Sequence, residues 1–172
     1  MLLLTLSISP LNAQQVDMPA DAASVDDGGR IDFKSLAADR GNLDRYVPWI
    51  ASTSPTVHPG RCSDRASQLA FYINSYNALA MYNVLETGMP QTPDRFFSKV
   101  AFFVLRKLVV GGKPTSLCDY ENDVIRPMGE PRVHFALNCM AISCPRLPGT
   151  PFTAAALEAE LERETVRFSS QA

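Results

Sequence analysis

The segment from Ser63 to Pro90, SDRASQLAFYINSYNALAMYNVLETGMP, predicts one long helix and constrains the fold more than any other part of the chain. Ser63 can cap its start. Gly88 and then Pro90 can end it, because glycine accepts a left-handed cap and proline cannot continue the helix. The apolar positions recur at helical spacing and predict a buried stripe: Ala66, Leu69, Ala70, Ile73, Ala80 and Val84.

Asn77 projects from this stripe, and Asn74 lies one turn earlier and beside it. An apolar side chain would have been easier to bury at either position. Because buried amides must find hydrogen-bond partners, we expect both side chains to bond to loop backbone that a sheet does not pair.

Shorter elements are predicted before and after the central helix. Residues 31–53 predict one or two short helices, since apolar side chains recur there at helical spacing. After Pro93 the period changes, and FFVLRKLVV followed by Gly111-Gly112 and KPTSL predicts strands joined by a glycine hairpin turn.

The C-terminal half predicts a helix, a strand and a last helix. Ser116 can cap a short helix that Pro127 stops. Alternation between apolar and other side chains from Arg132 to Asn138 predicts a strand, and Thr153 can cap the last helix. Together these elements indicate an α+β domain, in which a small antiparallel sheet is packed by the long central helix and flanking helices.

The N-terminal residues 1–13 predict a secretory signal. Their apolar run is too short to span a bilayer as a helix, and Ala13 suits a cleavage point, although no lysine or arginine precedes the run. Residues 14–30 are acidic and end in glycine, which is typical of a flexible lead-in. We therefore expect an extracytoplasmic protein, periplasmic or secreted, with no integral membrane segment in the mature chain.

Composition limits the class of partner. The chain has 172 residues, which suits a single domain over residues 31–172. The net charge of −2 and the lack of a dense basic block give no support for nucleic acid as a partner. The composition does not identify any other partner.

Three blocks of sequence together resemble the domain of unknown function 547 family. They are AFYINSYNALAMYNVLE, LCDYENDVIRP and EPRVHFALNCMAISCPRL, and they stand in the order and spacing of the family's motifs. The positions that match those motifs are Asn74, Asn77, Glu121, Arg126, Arg132, His134, Cys139, Ser143, Cys144 and Pro145. Asn122 departs from the family, which often has histidine there. The resemblance implies little about activity, because the family is named for having no assigned function.

The extent of the resemblance bears on where the chain ends. It covers roughly residues 31–169 on a reading of the sequence alone. Family members remain similar beyond the last helix, whereas this chain stops at FSSQA. That difference is consistent with a truncated C-terminus.

Thiol catalysis is one chemistry that these residues permit. It needs a reactive cysteine, a histidine within hydrogen-bond reach and a group that orients the histidine. Cys62 lies just before the central helix, where the helix dipole would lower its pKa, and His134 could approach it. Alternatively, Cys144 is the nucleophile and His134 or Glu121 assists. Either pairing would make the protein a thiol-dependent hydrolase or acyltransferase.

Metal binding and thiol–disulfide exchange have weaker support. The candidate ligands for a metal are His58, Cys62, His134, Cys139 and Cys144, but the paired short-spaced cysteines of zinc sites are absent. Cys139 and Cys144 have four residues between them, rather than the two of the usual redox motif. We expect no metal and no cofactor.

A structural role for the same residues is the leading hypothesis. Four cysteines allow three fully paired connectivities, and in an oxidising compartment Cys139 and Cys144 could close a short loop as a disulfide. Glu121 would then pair with Arg126 or Arg132, or accept N–H groups at the start of its helix, and His134 would be a strand residue hydrogen-bonded within the domain. The protein would be a binding or scaffold module with one disulfide-braced polar face, formed by Asn74, Asn77, Glu121, Arg126, Arg132, His134 and Ser143.

Overall fold

The computed structural model of the chain describes Val25 and residues 28–88, 100–140 and 144–170. The predicted signal over residues 1–13, and most of the predicted lead-in over residues 14–30, lie outside these ranges. Where the end of the lead-in is described, Gly29 is buried, and its carbonyl accepts a hydrogen bond of 3.1 Å from the Leu147 N–H.

The predicted α+β class is confirmed, since the described residues form several helices and a small two-stranded antiparallel sheet. The α-helices are α1 (Phe33–Ala38), α2 (Gly41–Ser52), α3 (Arg65–Thr87), α4 (Leu117–Asp119) and α5 (Leu157–Ser169), and the strands are β1 (Leu108–Val110) and β2 (Lys113–Thr115). Short 3₁₀ helices cover Pro59–Arg61, Arg126–Met128 and Pro131–Phe135, and π-helical turns cover Ala101–Leu105 and Tyr120–Ile125. No helix within the described ranges is both long enough and apolar enough to cross a membrane.

Helix α3 is the predicted long helix and lies at the centre of the domain. Asp64, rather than the expected Ser63, caps its start, and Ser67 completes a capping box with it. Gly88 follows the helix with a φ of 74°, as the sequence predicts for its end. Every residue of α3 from Leu69 to Met81 is buried, so its neighbours cover far more than one stripe.

The helices predicted over residues 31–53 are present as α1 and α2. Asp32 caps α1 by accepting hydrogen bonds from two backbone N–H groups. Leu43, Tyr46 and Ile50 form the buried side of α2, which packs against α3. The end of α2 also anchors the sheet, because the N–H of Gly111 donates to the Ile50 carbonyl.

The glycine hairpin is confirmed, but its first strand is shorter than predicted. β1 and β2 pair with Val110 opposite Lys113, so Gly111 and Gly112 form the turn. The first half of the apolar run, Ala101–Leu105, is π-helical. Asn83 of α3 donates a 2.9 Å hydrogen bond to the Phe102 carbonyl there. The periodicity of a short apolar run does not distinguish a strand from a helix. Here the run is helical where it contacts α3, and the sequence pattern does not contain that contact.

The strand predicted from Arg132 to Asn138 is wrong. Pro131–Phe135 forms a 3₁₀ helix, which Glu130 caps by accepting a hydrogen bond from the Arg132 N–H. Val133, Ala136 and Leu137 are buried, which is helical rather than alternating spacing. Proline is favoured at the start of a helical turn, and here it follows the capping residue.

The last two predicted helices are present with different ends. Ser116 caps α4 as expected, but the helix widens into a π turn. It then passes Pro127 and ends at Gly129, which has a φ of 73°. Helix α5 begins at Leu157, four residues after the predicted cap Thr153. The Thr153 hydroxyl still accepts a hydrogen bond from the Ala156 N–H.

The hairpin glycines provide a matched pair for a stability test. Both have positive φ, which costs a residue with a Cβ about 1–2 kcal/mol. A Cβ on Gly112 would meet open space, whereas one on Gly111 would overlap the buried Ser54 side chain. We expect Gly111→Ala to lower the free energy of unfolding by roughly 1–3 kcal/mol more than Gly112→Ala. Urea unfolding measures both, and equal losses would contradict this packing.

Candidate functional site

Asn74 and Asn77 of α3 form hydrogen bonds with the loop backbone of two separate segments. The Asn77 amide donates to the Ala136 carbonyl at 2.9 Å, and its oxygen accepts from the Asn138 N–H at 2.8 Å. The Asn74 amide does the same for one residue, donating to the Phe152 carbonyl at 2.8 Å and accepting from the Phe152 N–H at 3.0 Å. The hydrogen bonds that the sequence predicts for these amides are therefore present.

These amides and a disulfide fix the segments that we call the braced corner, residues 136–140 and 144–152. The Cys139–Cys144 disulfide that the sequence suggests is present, with the two Cα atoms 5.8 Å apart. Cys62 and Cys118 are free thiols. Downstream of Cys144, the N–H of Leu147 donates to the Gly29 carbonyl. Ser143, a predicted member of the polar face, lies outside the described residues.

Glu121 is held between a phenol and a guanidinium. The Tyr76 hydroxyl donates to one carboxylate oxygen at 3.3 Å, and Arg126 donates to the other at 2.7 and 3.1 Å. Burial, together with the Glu121 charge, raises the pKa of Tyr76, which keeps that phenol protonated as a donor. Of the two pairings left open for Glu121, the one with Arg126 is present.

The side chain of Asn122, the position at which the sequence departs from the motifs it resembles, bonds to Cys118. Its amide donates to the Cys118 carbonyl at 2.9 Å and to the Cys118 Sγ at 3.3 Å. The departure from the family pattern therefore lies beside a free thiol that sequence reasoning did not single out.

Arg132 connects the capping residue of its own 3₁₀ helix to α5. It forms two hydrogen bonds of 2.7 and 2.8 Å with Glu130 and another of 2.7 Å with Glu158. Glu130 is buried, and the Arg132 guanidinium holds the pKa of this carboxyl at about 2, below its usual 4.5. Glu130 was not predicted, although the proline that follows it is typical of the first position of a helical turn.

His134 does not have the environment that the sequence predicts. Its side chain is exposed, and its ring lies edge-on to Phe135 with centroids 6.0 Å apart. Within the described part of the chain it makes no hydrogen bond, so the expected bonded strand histidine is wrong. The cause is the 3₁₀ turn, which buries Val133 and directs His134 to solvent.

The two candidate nucleophiles are not activated thiols. Cys144 is bonded to Cys139 and has no free thiol in this state. Burial raises the pKa of the Cys62 thiol, and the neighbouring Asp64 charge raises it further. The expected lowering by the helix dipole is wrong, because Asp64 occupies the cap of α3 and Cys62 lies two residues before it. No hydrogen bond joins His134 to Cys62, Cys144 or Glu121 in the described ranges.

The candidate metal ligands do not form a cluster. Within residues 28–88, 100–140 and 144–170, no group of three or more His, Cys, Asp or Glu side chains is placed to hold a metal ion. Cys139 and Cys144 are joined to each other, which removes two of the five predicted ligands as thiolates.

Comparison with known proteins assigns most of this site to one family. The family model described as "Protein of unknown function, DUF547" matches residues 61–168, more than half of the chain. The chain belongs to the DUF547 family. The match includes α3, the braced corner and all but the last residue of α5, and it begins after α1 and α2. No curated protein and no solved structure matches the chain.

The Asn77 amide should be a major determinant of stability in this DUF547 domain. Asn77→Ala leaves the Ala136 carbonyl and the Asn138 N–H without their partner in a buried site. Each unsatisfied group costs about 1–3 kcal/mol, so we expect a loss of roughly 2–4 kcal/mol in urea unfolding.

Asn122→Ala is the matched control for this substitution. Its side chain is exposed, and we expect a change within about 0.5 kcal/mol. Similar effects of the two substitutions would show that the Asn77 hydrogen bonds do not support the fold.

Glu130 should make the domain sensitive to acid. Its pKa is lower in the folded protein than in the unfolded chain, so its ion pair stabilises the fold above pH 4.5 and is lost as pH falls toward 2. We expect the loss of stability between pH 5 and pH 2 to be smaller in Glu130→Gln by roughly 1–2 kcal/mol, allowing for solvent screening. Urea unfolding across that pH range measures this, and parallel pH profiles would contradict it.

Proposed function

We propose that this DUF547 protein is an exported binding or scaffold module and that the braced corner forms its binding surface. Export places the protein in an oxidising compartment, where disulfides persist. The apolar residues 1–13 and the Cys139–Cys144 disulfide support this location. The assignment of an extracytoplasmic location is part of the proposal.

The main support for this proposal is that two buried side-chain amides fix the conformation of a loop. Asn74 is 8 % exposed and Asn77 is 1 % exposed, and both use donor and acceptor on corner backbone. Apolar side chains at these positions would serve packing alone without requiring partners. A protein that holds a surface loop in one shape in this way reduces the entropy lost when the loop binds a partner.

The residues beside the corner offer mixed chemistry to a partner. His134 is exposed, and Phe135 is half-buried between His134 and the Phe168 ring of α5. Arg132 lies on the same 3₁₀ helix and is held by Glu130. Aromatic rings and arginine side chains, such as those of Phe135 and Arg132, are enriched at protein interfaces.

The alternative function is a thiol-dependent hydrolase or acyltransferase. It has less support, because it needs a favoured thiolate beside a histidine. The high pKa of Cys62, the bonded state of Cys144 and the solvent exposure of His134 all count against that arrangement. Alkylation of the oxidised protein distinguishes the two functions. A free thiol whose rapid alkylation slows in His134→Ala would favour the enzyme.

Site-specific crosslinking in the native host tests the binding proposal. A benzophenone amino acid replaces exposed His134 in one variant and exposed Val109 of β1 in a control. We expect a discrete crosslinked adduct from position 134 and none from position 109. The adduct should disappear when Asn77→Ala is added in a chain that still folds.

Two results of this experiment would contradict the proposal. One is the absence of any adduct at position 134, and the other is an equal adduct at both positions. If Asn77→Ala fails to fold, the double variant Cys139→Ser, Cys144→Ser replaces it as the disruption of the corner.

A further inference from the structure

Met140 has an unusual backbone conformation within the braced corner. Its φ is 59°, and among the described residues it is the one non-glycine residue with positive φ. This left-handed conformation is unfavourable for a residue with a Cβ and persists where the surroundings impose it. Met140 is partly buried against the core, directly after the disulfide-bonded Cys139.

A chain of hydrogen bonds runs from α3 to this residue. The Asn138 N–H donates to Asn77, and the Asn138 side-chain oxygen accepts from the Met140 N–H at 2.7 Å. Cys139 lies between Asn138 and Met140, so its disulfide bond to Cys144 constrains the same stretch of backbone. The conformation of Met140 is therefore imposed by two agents, one hydrogen-bonded and one covalent.

The backbone on either side of the disulfide is held without it. Upstream, Asn77 holds Ala136 and Asn138. Downstream, the Leu147 N–H donates a hydrogen bond to the Gly29 carbonyl. A Cβ on Gly29 would overlap the Leu147 carbonyl, so these two segments of the chain are in close contact. Breaking the disulfide would release the backbone around Met140 while these outer anchors remain.

Neither bonded cysteine is buried in the core. Cys139 and Cys144 are each partly exposed. Access and imposed backbone strain are typical of disulfides that are readily reduced, in contrast to inert structural ones.

We propose that the Cys139–Cys144 disulfide is a redox latch that controls the shape of the braced corner and, on the proposed function, its binding. A dithiol reductant attacks one sulfur, the S–S bond breaks, and a mixed disulfide forms. The second thiol of the reductant then displaces the protein sulfur. Two electrons and two protons pass to the protein, which becomes a dithiol, and the reductant becomes a disulfide. Met140 then leaves its left-handed conformation, and reoxidation restores it.

Redox titration of the full chain with reduced and oxidised dithiothreitol tests the latch. Alkylation and peptide mass spectrometry report the state of Cys139 and Cys144, with the free Cys62 and Cys118 as internal references. Met140→Gly relieves the backbone strain, whereas Met140→Ala removes the same side-chain packing and keeps the strain. We expect Met140→Gly to need about a fivefold higher ratio of reduced to oxidised dithiothreitol for half-reduction than Met140→Ala.

Hydrogen exchange on the wild-type protein, before and after reduction, gives a second readout. We expect faster exchange at Met140 after reduction, with the protection of α3 retained. The latch is overturned if the disulfide resists dithiothreitol until urea is added, if the Gly and Ala variants titrate together, or if reduction unfolds α3.

Crosslinking from position 134 separates failure of the latch from failure of the proposed function. An adduct in the oxidised protein that weakens on reduction supports both. Equal adducts in the two redox states overturn the latch and leave the binding surface. Absence of an adduct in both states overturns the binding surface, and the dithiothreitol titration then still decides the chemistry of the latch.

Discussion

The hydrogen bonds from the Asn77 side chain to the backbone of residues 136 and 138 are the interaction on which the rest of the site depends. Helix α3 is buried on most sides, so it is the rigid element from which a loop can be positioned. A side-chain amide reproduces the donor and acceptor of a neighbouring strand, and Asn77 and Asn74 thereby supply pairing that the two-stranded sheet does not. The backbone held in this way leads directly into the disulfide-bonded Cys139 and the left-handed Met140.

The ion pairs serve the same arrangement from outside the core. Arg132 joins the 3₁₀ helix before the corner to α5, and Glu121 ties the π turn to α3 through Tyr76. Glu121 and Glu130 each accept two hydrogen bonds from an arginine side chain, Arg126 and Arg132 respectively, so both carboxylates have a structural role. The arrangement holds a loop more convincingly than it assembles a nucleophile and a base, and this is why we prefer a binding function for this DUF547 domain.

The sequence predicts those parts of the fold and site that local chemistry determines. The long period of α3, its glycine end and the Gly111-Gly112 turn are of this kind, and so is the need of Asn74 and Asn77 for partners. The 3₁₀ helix at Pro131–Phe135 was not predicted, because the alternation of apolar side chains from Arg132 to Asn138 fits either a strand or a helical turn. The environments of His134 and Cys62 and the role of Tyr76 depend on packing between distant segments, which periodicity does not encode.

Native-state hydrogen exchange at the Asn138 N–H is the direct test of whether Asn77 holds the braced corner. This proton is buried and bonded to the Asn77 oxygen, in a loop where no sheet or helix would protect it. We expect exchange nearly as slow as that of the α3 amides, with a free energy of opening close to that of global unfolding. Exchange at the rate of an unprotected loop amide would show that Asn77 does not hold the corner.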